Sequence, residues 1–177
     1  MDEIVRQAMQ KWPNVPHCYG WLGLDARGDW YMRDDRVQSF GAFASGAPGA
    51  KGARLAHDKL IAFIGRNYAA DARGCWYFQN GPQRVYVELE ITPWVYRIHP
   101  QGTVHTHTGI AVDCQGVLTD ERGWVYLVTS LGLGVVHTQD VALAAEAIEA
   151  GRWLLETVRS AELPQQFGYV VSPDCAR

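Results

Sequence analysis

His105 and His107 stand one residue apart within Thr103 to Thr108. In an extended chain, alternate side chains share a face, so the two imidazoles would lie on the same side. Such a pair can ligate a divalent metal, with His99 or His137 as a third ligand. His99, His105 and His107 are therefore the metal candidates, and the chemistry they imply is metal-assisted hydrolysis. Against that, no acidic residue stands at a usual ligand spacing beside them, and the segment also reads as a solvent-exposed polar loop. A second set suits anions. Arg66, Asn67 and Tyr68 end a helix, Arg84, Tyr86 and Glu88 alternate along one face of a strand, and Arg97 follows on the next. Arginine forks hold phosphate or carboxylate, and aromatic rings stack on a planar ligand. The same residues also read structurally, with Arg66 and Arg84 pairing with Glu88, Glu90 or a turn aspartate.

The remaining motifs fall short of a site. Gly46-x-x-Gly49-x-Lys51-Gly52 lacks the Gly-Lys-[Ser/Thr] ending of a phosphate loop. Gly132-Leu133-Gly134 lacks the third glycine of a dinucleotide fingerprint. Lys51 and Arg54 could meet an anion near the start of a helix. Cys18 beside His17 would need an unusual geometry to form an activated thiolate. Glu88 and Glu90 form either a carboxylate pair or a solvated face. No catalytic residue is assigned.

The elements that position these residues follow from periodicity. Val85, Val87, Leu89 and Ile91 alternate with Arg84, Tyr86, Glu88 and Glu90, predicting a half-buried antiparallel strand. Cys75 to Gln79 is a strand before it. Asn80-Gly81 predicts a hairpin turn, and Pro82, which has no N–H to donate, predicts a wider loop closing between Phe78 and Gln83. Trp94 to His99 is the next strand, with Val95, Arg97 and His99 on one face. Asp25-Ala26-Arg27-Gly28 and Asp71-Ala72-Arg73-Gly74 each precede an aromatic pair, and Asp120-Glu121-Arg122-Gly123 is a third, looser copy. Asp opens each turn and Gly ends it in the left-handed conformation. The repeat suggests a duplicated module.

Helices are expected at Asp2 to Trp12, His57 to Tyr68 and Gln139 to Ala161, the last with Thr138 as N-cap. Ser39 to Gly52, rich in Gly, Ala and Pro, reads as a flexible loop. Phe167 to Val171 is expected to dock as a short strand. The fold class is α+β with two related modules. Residues 1–70 form a helix–hairpin–helix module. Residues 71–177 form a pleckstrin-homology-like antiparallel barrel or sandwich of about seven strands, capped by a long C-terminal helix.

The 177 residues, 47% hydrophobic and 20% charged, fit one well-filled core or two small modules. A net charge of -3 gives no general attraction to nucleic acid or anionic membrane. Four dispersed cysteines, Cys18, Cys75, Cys114 and Cys175, fit reduced thiols in a cytoplasm better than a disulfide scaffold. No apolar run approaches the ~20 residues of a membrane helix, and the acidic N-terminus is not that of a signal peptide.

Met1-Asp2-x-Ile4-Val5-x-Gln7-Ala8, Lys11-Trp12-Pro13-Asn14-Val15-Pro16, Gly20-Trp21-Leu22-x-Leu24-Asp25 and Phe78-Gln79-Asn80-Gly81-Pro82-Gln83-Arg84-Val85-Tyr86-Val87 carry a resemblance. Together they resemble an uncharacterised proteobacterial family, a domain of unknown function, over most of Met1 to Arg97. More distantly, the layout is similar to a second bacterial family with a duplicated α/β core and a pleckstrin-homology-like C-terminal half. That resemblance implies a nucleotide-like ligand at the junction of the halves and a role in signalling. It brings no established activity and no assigned catalytic residues, and the cofactor is left open.

The expected function is a cytoplasmic, non-catalytic sensor or adaptor that binds a small anionic ligand at the junction of its modules. One alternative is the metal-assisted hydrolase. Another is a protein-interaction module whose Trp21, Trp30 and Trp94 are partly exposed to a protein partner.

Overall fold

Periodicity and turn chemistry place most elements where the sequence puts them, in a computed structural model that describes residues 1–173. The chain forms two compact units. One comprises Met1–Asp25, Asp29–Ile91 and residues 169–173; the other comprises Ala26–Gly28 and Thr92–Gly168.

In the first unit, α1 (Glu3–Lys11) turns Val5 inward and ends at Trp12, before Pro13. β1 (Cys18–Leu24) and β2 (Trp30–Met32) form the first hairpin, with Leu24 opposite Trp30. The short α2 (Asp35–Gln38) is capped by Asp34, whose carboxylate accepts the Val37 amide at 2.8 Å. After β3 (Ala53–Arg54), α3 (Asp58–Arg66) is capped by His57, whose Nδ1 accepts the Leu60 amide at 3.2 Å. With β4 (Tyr68–Ala70), β5 (Trp76–Asn80) and β6 (Gln83–Leu89), the sheet runs β3-β2-β1-β6-β5-β4. Only β1 and β6 pair in parallel among its described neighbours.

Three expectations change here. The β5–β6 hairpin closes tightly, with Asn80 opposite Gln83. Gly81 and Pro82 are themselves the two turn residues, so the missing proline N–H is never called on. β6 is not half-exposed, because it lies between β1 and β5 and its Tyr86, Val87, Glu88 and Leu89 are all buried. The segment 39–52 is tied down: Phe43 and Ala50 are buried, and the buried Arg33 donates to the carbonyls of Ala50 (2.8 Å) and Gly41 (2.6 Å).

The second unit holds β7 (Trp94–Ile98), β8 (Val104–Thr106), β9 (Ala111–Val112), β10 (Gly116–Thr119), β11 (Val125–Thr129) and β12 (Gly132–Val136). These are followed by α4 (Val141–Glu149), β13 (Leu155–Thr157) and α5 (Leu163–Phe167). The sheet order is β13-β10-β11-β12-β7-β8-β9, with parallel pairs at β10–β13 and β7–β12. The seven-stranded sheet followed by a helix is present, and the class is α+β. Neither sheet closes into a barrel among the described residues.

The seven strands begin at Trp94, because β5 and β6 belong to the first sheet. A division at residue 70 falls between antiparallel neighbours, with Tyr68 opposite Phe78; the two units separate after Ile91 instead. The helix is also shorter than expected. Gly151 takes a left-handed φ of 69°, which ends α4, and Leu155 to Thr157 pair with β10. His137, not Thr138, caps the turn before α4, its Nδ1 accepting the Gln139 amide at 3.2 Å. Phe167 ends a helix, but Val170 does dock as expected, donating to the Gly74 carbonyl at 3.0 Å.

Cys18, Cys75 and Cys114 are free thiols, and Cys175 lies outside the described residues. No helix among the described residues is long and apolar enough to cross a membrane.

Candidate functional site

The three Asp-x-Arg-Gly turns share one local construction. In each, the aspartate Oδ1 accepts the amide of the residue four places on: Asp29 at 2.9 Å, Cys75 at 3.0 Å and Trp124 at 2.9 Å. Its Oδ2 accepts a tyrosine hydroxyl: Tyr31 at 3.3 Å, Tyr86 at 3.0 Å and Tyr126 at 2.8 Å. The turn glycines have φ of 83°, 80° and 81°, a region closed to most side chains. Arg73 and Arg122 fold back onto their own aspartates at 3.2 Å. Arg27 lines a cavity.

That cavity lies within the second unit, has a volume of about 410 Å³, and is built on the β7–β8 hairpin. Tyr96 faces Thr106 across the hairpin, Arg97 faces His105, and Ile98 faces Val104. Because side chains alternate, Tyr96, Ile98, Val104 and Thr106 go to the core, while Arg97, His99, His105 and His107 share the other face. Arg27 and Gly28 complete the lining, and no carboxylate lines it among the described residues. Gly28 is required there by space, since a Cβ would stand 2.7 Å from that of His107.

Asp140 binds Arg97 along one edge, Nε at 2.6 Å and Nη2 at 3.3 Å, and also accepts the Ile98 amide at 3.1 Å. Burial raises the Asp140 pKa, but the Arg97 and Ile98 hydrogen bonds and the Arg97 charge hold it below the usual carboxylate value. Arg97 Nη1 makes no hydrogen bond among the described residues. His107 Nδ1 accepts the Val95 amide at 3.3 Å, and burial lowers this imidazole to about 3, so it is neutral near pH 7. His105 stands edge-on to His99, with ring centroids 5.0 Å apart, and its buried Nδ1 has no protein partner among the described residues.

The arrangement gathers two arginines and three histidines at one cavity. No group of three or more His, Cys, Asp or Glu side chains is placed to hold a metal ion among the described residues, and His107 has already committed Nδ1. The expected trio of His99, His105 and His107 is thus gathered at one cavity but not as a ligand set.

The other expected ligand-binding residues serve the first unit. Arg66 pairs with Asp2 at 3.2 Å. Asn67 is buried, donates to the Phe63 carbonyl at 2.9 Å and accepts the Asp2 amide at 2.8 Å. Tyr68 packs edge-on against Trp30, and its phenol is pushed well up by burial. Arg84 lies over the Tyr77 ring at 4.5 Å. Tyr86 bonds Asp71 and stacks on Tyr19 at 4.5 Å. Glu88 is buried, with its charge acting on Arg33. Only Arg97, of these seven, lines the cavity.

Other candidates are likewise committed. Lys51 pairs with Glu90 at 2.8 Å and Arg54 with Asp29 at 2.8 Å. Trp30 and Trp94 are buried, and of the three expected tryptophans only Trp21 is exposed. Arg27 and Asp140 are the site residues that sequence reasoning missed. The repeated turn flagged Arg27 as structural, and nothing local connects Asp140 to a residue 43 positions away.

A family described as "Protein of unknown function (DUF2946)" matches residues 1–174, and the chain belongs to that family. The match extends well beyond the N-terminal signatures. No curated protein matches the sequence. Among solved structures, the chain is similar to a DUF1285 family protein from Silicibacter pomeroyi DSS-3, with 12% identity and a TM-score of 0.49. That alignment covers 82% of this chain and 84% of the other. A DUF1285 family protein from Shewanella baltica OS155 gives 18% identity and a TM-score of 0.46, over 71% of this chain and 91% of the other.

Proposed function

For a chain in a family without an assigned activity, we propose a non-catalytic sensor or adaptor that binds a small anion in the cavity of Arg27, Arg97, His99, His105 and His107. One observation carries this reading: two arginines and three histidines line the cavity, and no carboxylate does among the described residues. Arg97 is prepared for the task. Asp140 takes the Nε side of the guanidinium, so its Nη1–Nη2 edge, the one that grips phosphate or carboxylate end-on, remains for a ligand.

Much of the Arg97 charge is balanced by Asp140, so attraction comes mainly from charge-assisted hydrogen bonds, each about 1.5–3 kcal/mol. His105 and His99 supply ring N–H groups, and His107 forms a neutral wall. The ligand site therefore rests on a different residue set from the one that Arg66, Arg84 and Tyr86 suggested. The free thiols at Cys18, Cys75 and Cys114 accord with a reducing compartment, the cytoplasm.

Thermal unfolding with inorganic phosphate, pyrophosphate and citrate, at constant ionic strength, tests the reading. An anion at 100 times its Kd raises stability by about 2.7 kcal/mol. The increase should disappear in Arg97→Ala and Arg27→Ala and persist in Arg84→Ala. Equal shifts in all three variants, or none in the wild type, would reject it.

A further inference from the structure

His99 and His105 meet edge-on, with ring centroids 5.0 Å apart, and both line the cavity that Arg97 lines. His105 stands opposite Arg97 across the β7–β8 hairpin, and His99 follows β7 directly. His105 Nδ1 is buried without a protein partner among the described residues, so no protein hydrogen bond fixes the protonation state of that nitrogen. Histidine is the side chain whose charge changes between about pH 5 and 8, and neighbouring charges decide which form is favoured.

The charged groups around this pair come from several elements. Arg27 and Arg97 share its cavity, and Arg152 lines a smaller cavity with His99. These cations disfavour an imidazolium, an effect that Asp140, ionised against Arg97, partly offsets. Glu146 on α4 lines the smaller cavity with His99, and Asp113 lines a third cavity with His105. Both carboxylates belong to exposed residues, where solvent weakens their pull. Cys114, also beside His105, is held as a neutral thiol by burial, and His107 is a neutral imidazole. An anion seated on Arg97 tips this balance toward protonation, because it brings negative charge to both rings. Two imidazoliums 5.0 Å apart would repel each other, so the pair accepts one proton rather than two.

We propose that this site binds a doubly charged oxyanion together with one proton, which the His99–His105 pair takes from solvent. This rests on the anion reading above and deepens it to a ligand class and its regulation by pH. The proton adds to one ring nitrogen, and no bond of the anion is made or broken. Binding that draws in one proton tightens as pH falls, by up to about tenfold per pH unit. The added positive charge favours a dianion over a monoanion.

Calorimetric titration of the full chain with sulfate tests this, because sulfate stays doubly charged from pH 6 to 8. In two amine buffers of different ionisation enthalpy at pH 7.5, binding should take up about 0.5–1 proton per sulfate. Affinity should rise at least threefold between pH 8 and pH 7, and methyl sulfate, a monoanion, should bind at least tenfold more weakly. The double variant His99→Gln, His105→Gln should bind sulfate without proton uptake. In the wild type, ring-nitrogen NMR shifts at pH 7.5 should show imidazolium appearing at His99 or His105 as sulfate saturates. Sulfate binding with no proton uptake, or uptake that persists in the double variant, would overturn the proton linkage and leave the anion site standing. Equal affinity for methyl sulfate would overturn the dianion class. Failure to bind sulfate at any pH would overturn this inference, and failure to bind phosphate and pyrophosphate as well would overturn the anion site with it.

Discussion

Asp140 holds Arg97 from the side, with Oδ2 2.6 Å from Nε and Oδ1 3.3 Å from Nη2. The pair fixes the guanidinium plane and joins β7 to the start of α4 through the Ile98 amide. If Asp140 positions Arg97, its loss weakens anion binding. If it competes with the anion, its loss strengthens binding. The open Nη1–Nη2 edge predicts the first outcome: Asp140→Asn should lower phosphate or pyrophosphate affinity about tenfold, read by calorimetry.

The same carboxylate gives a stability prediction. Its folded pKa is depressed, so its contribution is present above the unfolded value of about 4 and is lost as pH falls through the folded pKa. Urea unfolding of the wild type should therefore weaken below about pH 4 more steeply than that of Asp140→Asn.

His107 titrates in a different window. The unfolded imidazole takes a proton near 6.5 and the folded one only near 3, so the unfolded state gains as pH falls between them. At pH 5 the folded protein should have lost about 2 kcal/mol relative to pH 8 through this group. Ring-nitrogen NMR shifts should still show a neutral His107 at pH 5. An imidazolium there would contradict the burial that shapes this wall.

The tyrosine locks on the turns predict graded losses. Tyr126→Phe removes one hydrogen bond to a buried carboxylate and should cost about 1.5–3 kcal/mol. Asp120→Ala also leaves the Arg122 and Trp124 amides without that acceptor, so its midpoint in urea should be lower still.

Arg33 binds three carbonyls, those of Ala50, Gly41 and Gly20, and its charge is felt by the buried Glu88. Arg33→Met leaves that carboxylate without its nearby cation and should destabilise by about 3–5 kcal/mol. Hydrogen exchange in residues 39–52 should accelerate in the variant, since those carbonyls anchor the segment.

Local chemistry made part of this structure legible. The alternation in Trp94 to His99 correctly put Val95, Arg97 and His99 on one face, and the His-x-His spacing placed His105 and His107 beside them. What periodicity could not supply was sheet order. Tyr86 and Glu88 looked solvent-facing because β6 alternates, yet β1 pairs with it in parallel, Gly23 opposite Glu88 from 65 residues earlier, and Tyr86 to Leu89 are all buried. The helix expected from Gln139 to Ala161 is cut short, because a left-handed Gly151 intervenes. Arg27 read as a turn residue like Arg73, and only the tertiary fold separates the two.

Amide chemical-shift mapping during titration with pyrophosphate tests the anion site most directly. The account predicts saturable shifts concentrated at residues 27–28, 97–99 and 105–109, greatly reduced in Arg97→Ala. Saturable shifts centred on Arg66 and Arg84, or none beyond those produced by equal ionic strength of sodium chloride, would contradict it.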